Sequence, residues 1–290
     1  MNFELALKLD AEVGEGPLWD SDKGELVFID VTQGKIHSFN PITGHLDSLS
    51  IGMHIGAVGF FESNSYIAAV RDGFAKIDRY TGQINYLSRV LHDEGIRFND
   101  GKCDPFGNFV AGTMRYQPAM GTATLYSLSR SGRVKEILSG IGLSNGLCWD
   151  ESGEKFFYID TLTRQIALFK YDSEQGIVGS RQVIYEFAEG AGSPDGMTID
   201  LEGNLWVALW GGGKVVRIDQ SGRLISELEL PVSQPTSVIF GGSNYENLYI
   251  TSANFQLSDA QLSREPLAGS LFVADVGVGG RAESRFALSN

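Results

Sequence analysis

From Gly142 to Gly146 the chain reads GLSNG. This is the G-x-S-x-G pattern that can set a serine nucleophile on a sharp strand-to-helix turn. Such a serine needs a helix after it, and a His and an acid as partners. The next residues, LCWDESGEKFFYID, read as a β run, a Gly turn and a second β run, so no nucleophile is expected at Ser144. The neighbouring Asn145 is the residue that recurs. SNGLCWDESGEKFFYID (144–160), PDGMTIDLEGNLWVAL (194–209) and EGPLWDSDKGELVFID (15–30) superimpose. Each has a polar residue, a Gly, an Asp four positions beyond that Gly, a turn containing Gly and a β run. FNDGKCDPFGNFVAGTM (98–114) fits with Asn99 in the lead position, and weaker copies lead with Ile55 and Thr236.

Glu15, Asn99, Asn145 and Asp195 therefore occupy one repeat position with two carboxylates and two amides. Buried together without a Lys or Arg among them, such oxygens require a neutralising cation. An all-oxygen set of this charge suits Ca²⁺, Mg²⁺ or Mn²⁺, tolerates Zn²⁺ or Fe²⁺ and disfavours copper. Asn-Gly and Asp-Gly are also the commonest hairpin centres, so any one of them alone is explained by a turn. Glu15 precedes Gly-Pro, a poor hairpin centre, and still falls in register with the others. Arg97 lies two residues before Asn99, on the same face of an extended strand, where its guanidinium fork would grip ligand oxygens.

The same repeat sets the architecture. Lead positions 15, 55, 99, 145, 195 and 236 are separated by 40, 44, 46, 50 and 41 residues, the lengths of four-stranded propeller blades. Runs such as Leu26 to Ile29, Phe156 to Ile159 and Leu205 to Leu209 recur between turn signals, and no amphipathic helix stands out. The expectation is an all-β, six-bladed β-propeller of four-stranded antiparallel blades, one domain over residues 1–290. Residues after 236 would form the last blade, with its final strand supplied from residues 1 to 14, a closure that hides open sheet edges. Two packed sandwiches would need a linker, and none divides the sequence. In a propeller the lead residues of different blades arrive at one level of a central channel.

The chain has 290 residues, 42% of them hydrophobic, and a net charge of -13. That charge argues against nucleic acid and anionic membranes as partners. The amino-terminal MNFELALKLDAEVGEG has no basic n-region or apolar stretch suited to a signal peptide, and no run approaches a membrane span. A cytoplasmic protein is expected. Cys103 and Cys148 form no C-x-x-C pair and read as buried small hydrophobes. The four His show no HExxH spacing. GGGK at 211–214 reads as a strand turn, and Trp19 and Trp149, at one repeat position, as blade packing.

EGPLWD (15–20), RFNDGKCDPFGNFVAGTM (97–114), SNGLCWD (144–150), FYIDT (157–161), PDGMTIDLEGNLWVALWGG (194–212) and REPLAGSLF (264–272) resemble the senescence-marker, gluconolactonase and regucalcin family of six-bladed propellers. The resemblance implies one divalent cation held by Glu15, Asn145 and Asp195, substrate contacts from Arg97 and Asn99, and hydrolysis of sugar-acid lactones. In the regucalcin-like branch a longer segment after GTM carries an acidic residue that helps hold the sugar. Here no Asp or Glu occurs from Thr113 to Lys135, and Arg115 and Tyr116 stand at the start of the loop, expected to reach the substrate's polyol or an anionic substituent. The expected mechanism polarises the lactone carbonyl with the metal and uses Asp195 as general base toward water. The competing readings are a calcium-binding propeller without turnover and a phosphotriesterase-type hydrolase.

Overall fold

Every lead residue lies in the first strand of a four-stranded antiparallel sheet. These strands are Gly14–Asp20, Ile55–Phe60, Ile96–Cys103, Ser144–Trp149, Ser193–Ile199 and Pro235–Gly241. In the computed structural model, which describes residues 2–288, the six sheets are the blades of a β-propeller. Met1, Ser289 and Asn290 lie outside the described residues. The sixth blade completes itself with Asn2–Leu7, which pairs antiparallel with Leu271–Asp275, as the sequence led us to expect. Helix is limited, among the described residues, to Asp259–Leu262 and a 3-10 turn at Thr161–Thr163.

The recurring Asp, five residues after four of the six lead positions (Asp20, Asp104, Asp150 and Asp200), stands at the end of its first strand. Asp104 Oδ1 accepts from the N–H groups of Phe106 (2.9 Å) and Asn108 (2.8 Å). Asp200 Oδ1 accepts from Glu202 (3.0 Å) and Asn204 (2.8 Å). These side chains satisfy backbone donors that a tight turn leaves without a ladder partner. In these four blades the repeat is therefore a turn-forming signal that marks where the first strand ends.

The Asn-Gly and Asp-Gly pairs are not hairpin centres. They lie inside the first strands, where each of the six carries a register slip of one residue, at Glu15/Leu18, Ile55/Ala57, Phe98/Asp100, Asn145/Leu147, Pro194/Met197 and Pro235/Ser237. A bulge of this kind bends a strand and re-aims a side chain. At Gly16 the backbone takes φ 53°, a left-handed conformation that a Cβ would disfavour.

The described chain divides into two compact units of three blades each. One runs to Ser48 and resumes over Phe187–Ala282; the other spans Leu49–Glu186 with the tail from Glu283. In the first unit Trp19 stacks on Tyr249 with centroids 5.6 Å apart, and Trp206 meets Phe240 edge-on. Close approach of first strands depends on glycine: a Cβ at Gly14 would sit 2.7 Å from the Ser252 carbonyl oxygen, and one at Gly196 would overlap Ser237. In the second unit a Cβ at Gly56 would sit 2.6 Å from the Phe98 carbonyl carbon, and one at Gly112 would overlap Ser144. Cys103 and Cys148 are buried and free, Trp19 and Trp149 are buried in blade packing, and residues 211–213 form the expected turn.

The last blade ends sooner than expected. After Asp275 the chain forms no strand among the described residues. Its tail in the second unit inserts Phe286 against Phe61, and the Phe286 N–H donates to the Phe60 carbonyl at 2.8 Å. Fully burying such a ring contributes about 2 to 3 kcal/mol.

Candidate functional site

In the second unit the bulge at Asn99 turns its amide toward the next first strand. Arg97 Nη1 donates to Asn99 Oδ1 at 2.8 Å and to the Phe98 carbonyl at 2.9 Å. Asn99 Nδ2 in turn donates to the Ser144 carbonyl at 2.8 Å and meets Asn145 Oδ1 at 3.3 Å. Asn145 Nδ2 donates to Thr161 Oγ1 at 2.9 Å. This last bond fixes which way the Asn145 amide points, leaving its carbonyl oxygen on the side of Asn99. Arg97 and Asn145 are buried. Three residues selected by spacing alone thus form one hydrogen-bonded run.

Tyr116 joins the run. Its ring lies 5.9 Å from the Arg97 guanidinium carbon, and its hydroxyl is 3.0 Å from His54 Nδ1. Arg115 turns elsewhere: its Nη2 pairs with Asp93 at 2.6 Å, both side chains being well exposed. The Gly95 N–H, and then Arg115, hold the Asp93 carboxyl below the usual carboxylate range.

In the first unit Glu15 and Asp195 are both buried, at 6% and 7% exposure. Each belongs to a strand packed against Pro235–Gly241. Thr236 Oγ1 donates to the Gly14 carbonyl at 2.5 Å, beside Glu15, and Gly196, next to Asp195, abuts Ser237. A Glu15 oxygen accepts the Gly16 N–H at 2.5 Å. Thr236, a weak lead residue, spends its hydroxyl on this packing and on Thr251, and Ile55 is wholly buried. Among the described residues no three His, Cys, Asp or Glu side chains gather into a metal-binding cluster; the expected donors include only two carboxylates.

Three residues escaped the sequence reading. Thr161 and His54 are recognisable only through their partners. Asp100 had a signal, an Asp-Gly pair one residue out of register, and like Glu15 it accepts the N–H of the following glycine, at 2.7 Å. Burial pushes its carboxyl up to about 6, opposed by that bond and by Lys102. Ser144, the serine of GLSNG, is completely buried, and its hydroxyl has no hydrogen-bond partner among the described residues. It starts a strand, not a helix.

The sequence profile described as the SMP-30/Gluconolactonase/LRE-like region matches residues 13–254. The chain belongs to this family. Regucalcin of Danio rerio is 37% identical to this SMP-30/gluconolactonase-like chain over 284 residues, covering 97% of the chain and 96% of the relative. YvrE of Bacillus subtilis (strain 168), named as a candidate sugar lactone lactonase, is 36% identical over 290 residues, with 99% of each covered. The crystal structure of a regucalcin from Agrobacterium tumefaciens, described as a calcium-binding protein, superimposes with a TM-score of 0.94 at 26% identity, covering 98% of this chain and 97% of that one. No helix among the described residues is long and apolar enough to cross a membrane.

Proposed function

We propose that this chain is a divalent-cation-dependent lactonase that opens sugar-acid lactones to the free aldonic acids. The observation that carries the reading is the run Arg97, Asn99, Asn145. It joins a pair suited to gripping carbonyl and hydroxyl oxygens to an amide suited to a cation, and a cation store needs no such pair.

Glu15, Asn145 and Asp195 are the proposed cation ligands. The donor set fits a hard cation: all are oxygens and all are buried. The bond to Thr161 holds the Asn145 amide so that its oxygen, which accepts one long hydrogen bond from Asn99, keeps a second lone pair for a cation. When bound, the cation supplies Lewis acidity toward the lactone carbonyl and positive charge for the oxyanion. Arg97 and Asn99 bind and orient the sugar, and Tyr116 covers Arg97 on the substrate side. Asp195 accepts a proton from water as the water oxygen bonds to the carbonyl carbon. The ring C–O bond then breaks, and the proton passes to the released alkoxide. Calcium suits the donors, as do Mg²⁺, Mn²⁺, Zn²⁺ and Fe²⁺.

The test is to strip the protein of metal, restore single cations, and assay a panel of aldonolactones and one phosphotriester. Lactone turnover lost on stripping and restored by one or more cations is expected. Cation binding with no turnover of any lactone would overturn the reading in favour of a calcium-binding protein, and turnover of the phosphotriester alone would overturn it in favour of the other hydrolase.

A further inference from the structure

We infer that the second unit carries a separate binding site for a phosphate monoester attached to a flat apolar body. The site is a cleft of about 580 Å³ formed by three turns, at 104–108, 129–133 and 173–175. Arg97 and Asn99 lie near the start of Ile96–Cys103; the first of these turns lies beyond its end. The cleft is therefore at the opposite end of that strand, and its assignment does not rest on the lactonase reading.

The charge distribution points to the ligand. On a chain of net charge -13, the cleft gathers Arg130, Arg133 and Lys135 against one lining carboxylate, Glu174. Neither arginine forms an ion pair among the described residues, and Lys135 Nζ donates to the Gln175 carbonyl at 2.7 Å. The nearby carboxylate of Asp172 is engaged by the N–H groups of Glu174 and Gln175. Two guanidinium forks and an ammonium, with the hydroxyls of Ser129 and Ser131 in the same lining, match the oxygens of a phosphate dianion.

The floor is built and rigid. Asn108 is 5% exposed; its Nδ2 donates to Asp104 Oδ2 at 2.7 Å and to the Ser173 carbonyl at 3.0 Å, and its Oδ1 accepts from the Arg130 N–H at 3.2 Å. Asp104, wholly buried behind it, also accepts from Tyr171. The 129–133 turn is tied by the contact between Ser129 Oγ and Ser131 Oγ and by the Arg133 N–H to Ser129 Oγ. Phe106, 37% exposed, and Ile137 supply an apolar wall, and the volume lies within the range of small-molecule sites. The apolar wall favours a nucleoside monophosphate over free phosphate.

The experiment is titration calorimetry of the full chain with AMP, inorganic phosphate and adenosine at low and high salt. AMP should bind tightest, phosphate more weakly and adenosine not at all, with salt weakening the first two. Arg130→Ala/Arg133→Ala should weaken AMP by at least about tenfold without changing the melting temperature, and Phe106→Ala should weaken AMP but not phosphate. Absence of AMP binding up to millimolar concentration, or AMP binding unchanged in the double arginine variant, would overturn the assignment.

Discussion

Replacing Ser144 by Ala discriminates between a nucleophile and a packing residue. Its side chain is fully buried and its hydroxyl has no hydrogen-bond partner among the described residues, although the Tyr158 hydroxyl lies close by. The Asn99 amide uses the Ser144 carbonyl, which the substitution retains. Deleting this hydroxyl should change stability by no more than about 1 kcal/mol. The reciprocal change, Gly112→Ala, should be costly: its Cβ would overlap Ser144 and approach Leu125 Cδ1 to 3.1 Å. Overpacking of this kind costs about 1 to 3 kcal/mol, a fall in Tm of roughly 2 to 8 °C in a domain of this size. It also displaces the strand that carries Asn145, so kcat/KM should fall by up to about a hundredfold. Adding Ser144→Gly to Gly112→Ala should recover more than about 1 kcal/mol, the sign of a direct contact. Thermal melts and lactone kinetics on the four proteins make the comparison. A loss of about a thousandfold or more in turnover for Ser144→Ala, as a nucleophile would give, refutes the argument.

Asp195→Asn should keep appreciable metal binding and lose most turnover, measured by calorimetry and initial rates; a fully active variant sinks the general-base role. Tyr116→Phe should raise KM severalfold with little change in kcat, through loss of the His54 contact. Arg115→Ala should shift stability by no more than about 1 kcal/mol, because its exposed pair with Asp93 is solvent-screened; unchanged kinetics in both variants would leave the loop without a part in substrate binding. Burial pushes the imidazole of His37 down to about 4 from its ordinary 6.5, against the pull of Asp30 and with help from Lys35. The folded chain keeps it neutral while the unfolded chain takes up the proton, so its contribution to stability is lost as pH falls from about 6.5 to 4. That amounts to about 2 kcal/mol between pH 7 and pH 5. Urea titrations should find this difference in the parent and not in His37→Gln; equal pH dependence in the two would show that His37 is not the group responsible.

Blade count and lead positions were legible because the repeat has a local cause. An Asp that caps its own turn works within a few residues, so Asp104 and Asp200, like Asp20 and Asp150, mark the ends of four first strands, while the blades led by Ile55 and Thr236 lack it and read as weaker copies. The run Arg97, Asn99, Asn145 was half legible: spacing grouped its members, but it does not encode which amide atom faces which neighbour. That depends on Thr161, which reaches Asn145 from the 3-10 turn. Asn-Gly looks like a turn in any local reading, and only strand pairing reveals a bulge. Arg115 and Tyr116 are adjacent in sequence yet turn to different partners, because Asp93 and His54 come from separate loops that no spacing rule connects to them.

The pairing of Asn2–Leu7 with Leu271–Asp275 also imposes an order in time. During synthesis the first of these segments emerges roughly 260 residues before its partner, which at about 5 to 20 residues per second is a wait on the order of 10 to 50 seconds. Throughout that interval Asn2–Leu7 has no sheet to join, while the other five blades are made from contiguous chain and can assemble as they appear. Completion of the sixth blade therefore waits on the synthesis of Leu271–Asp275, and until then the nascent chain carries an amino-terminal strand without a partner.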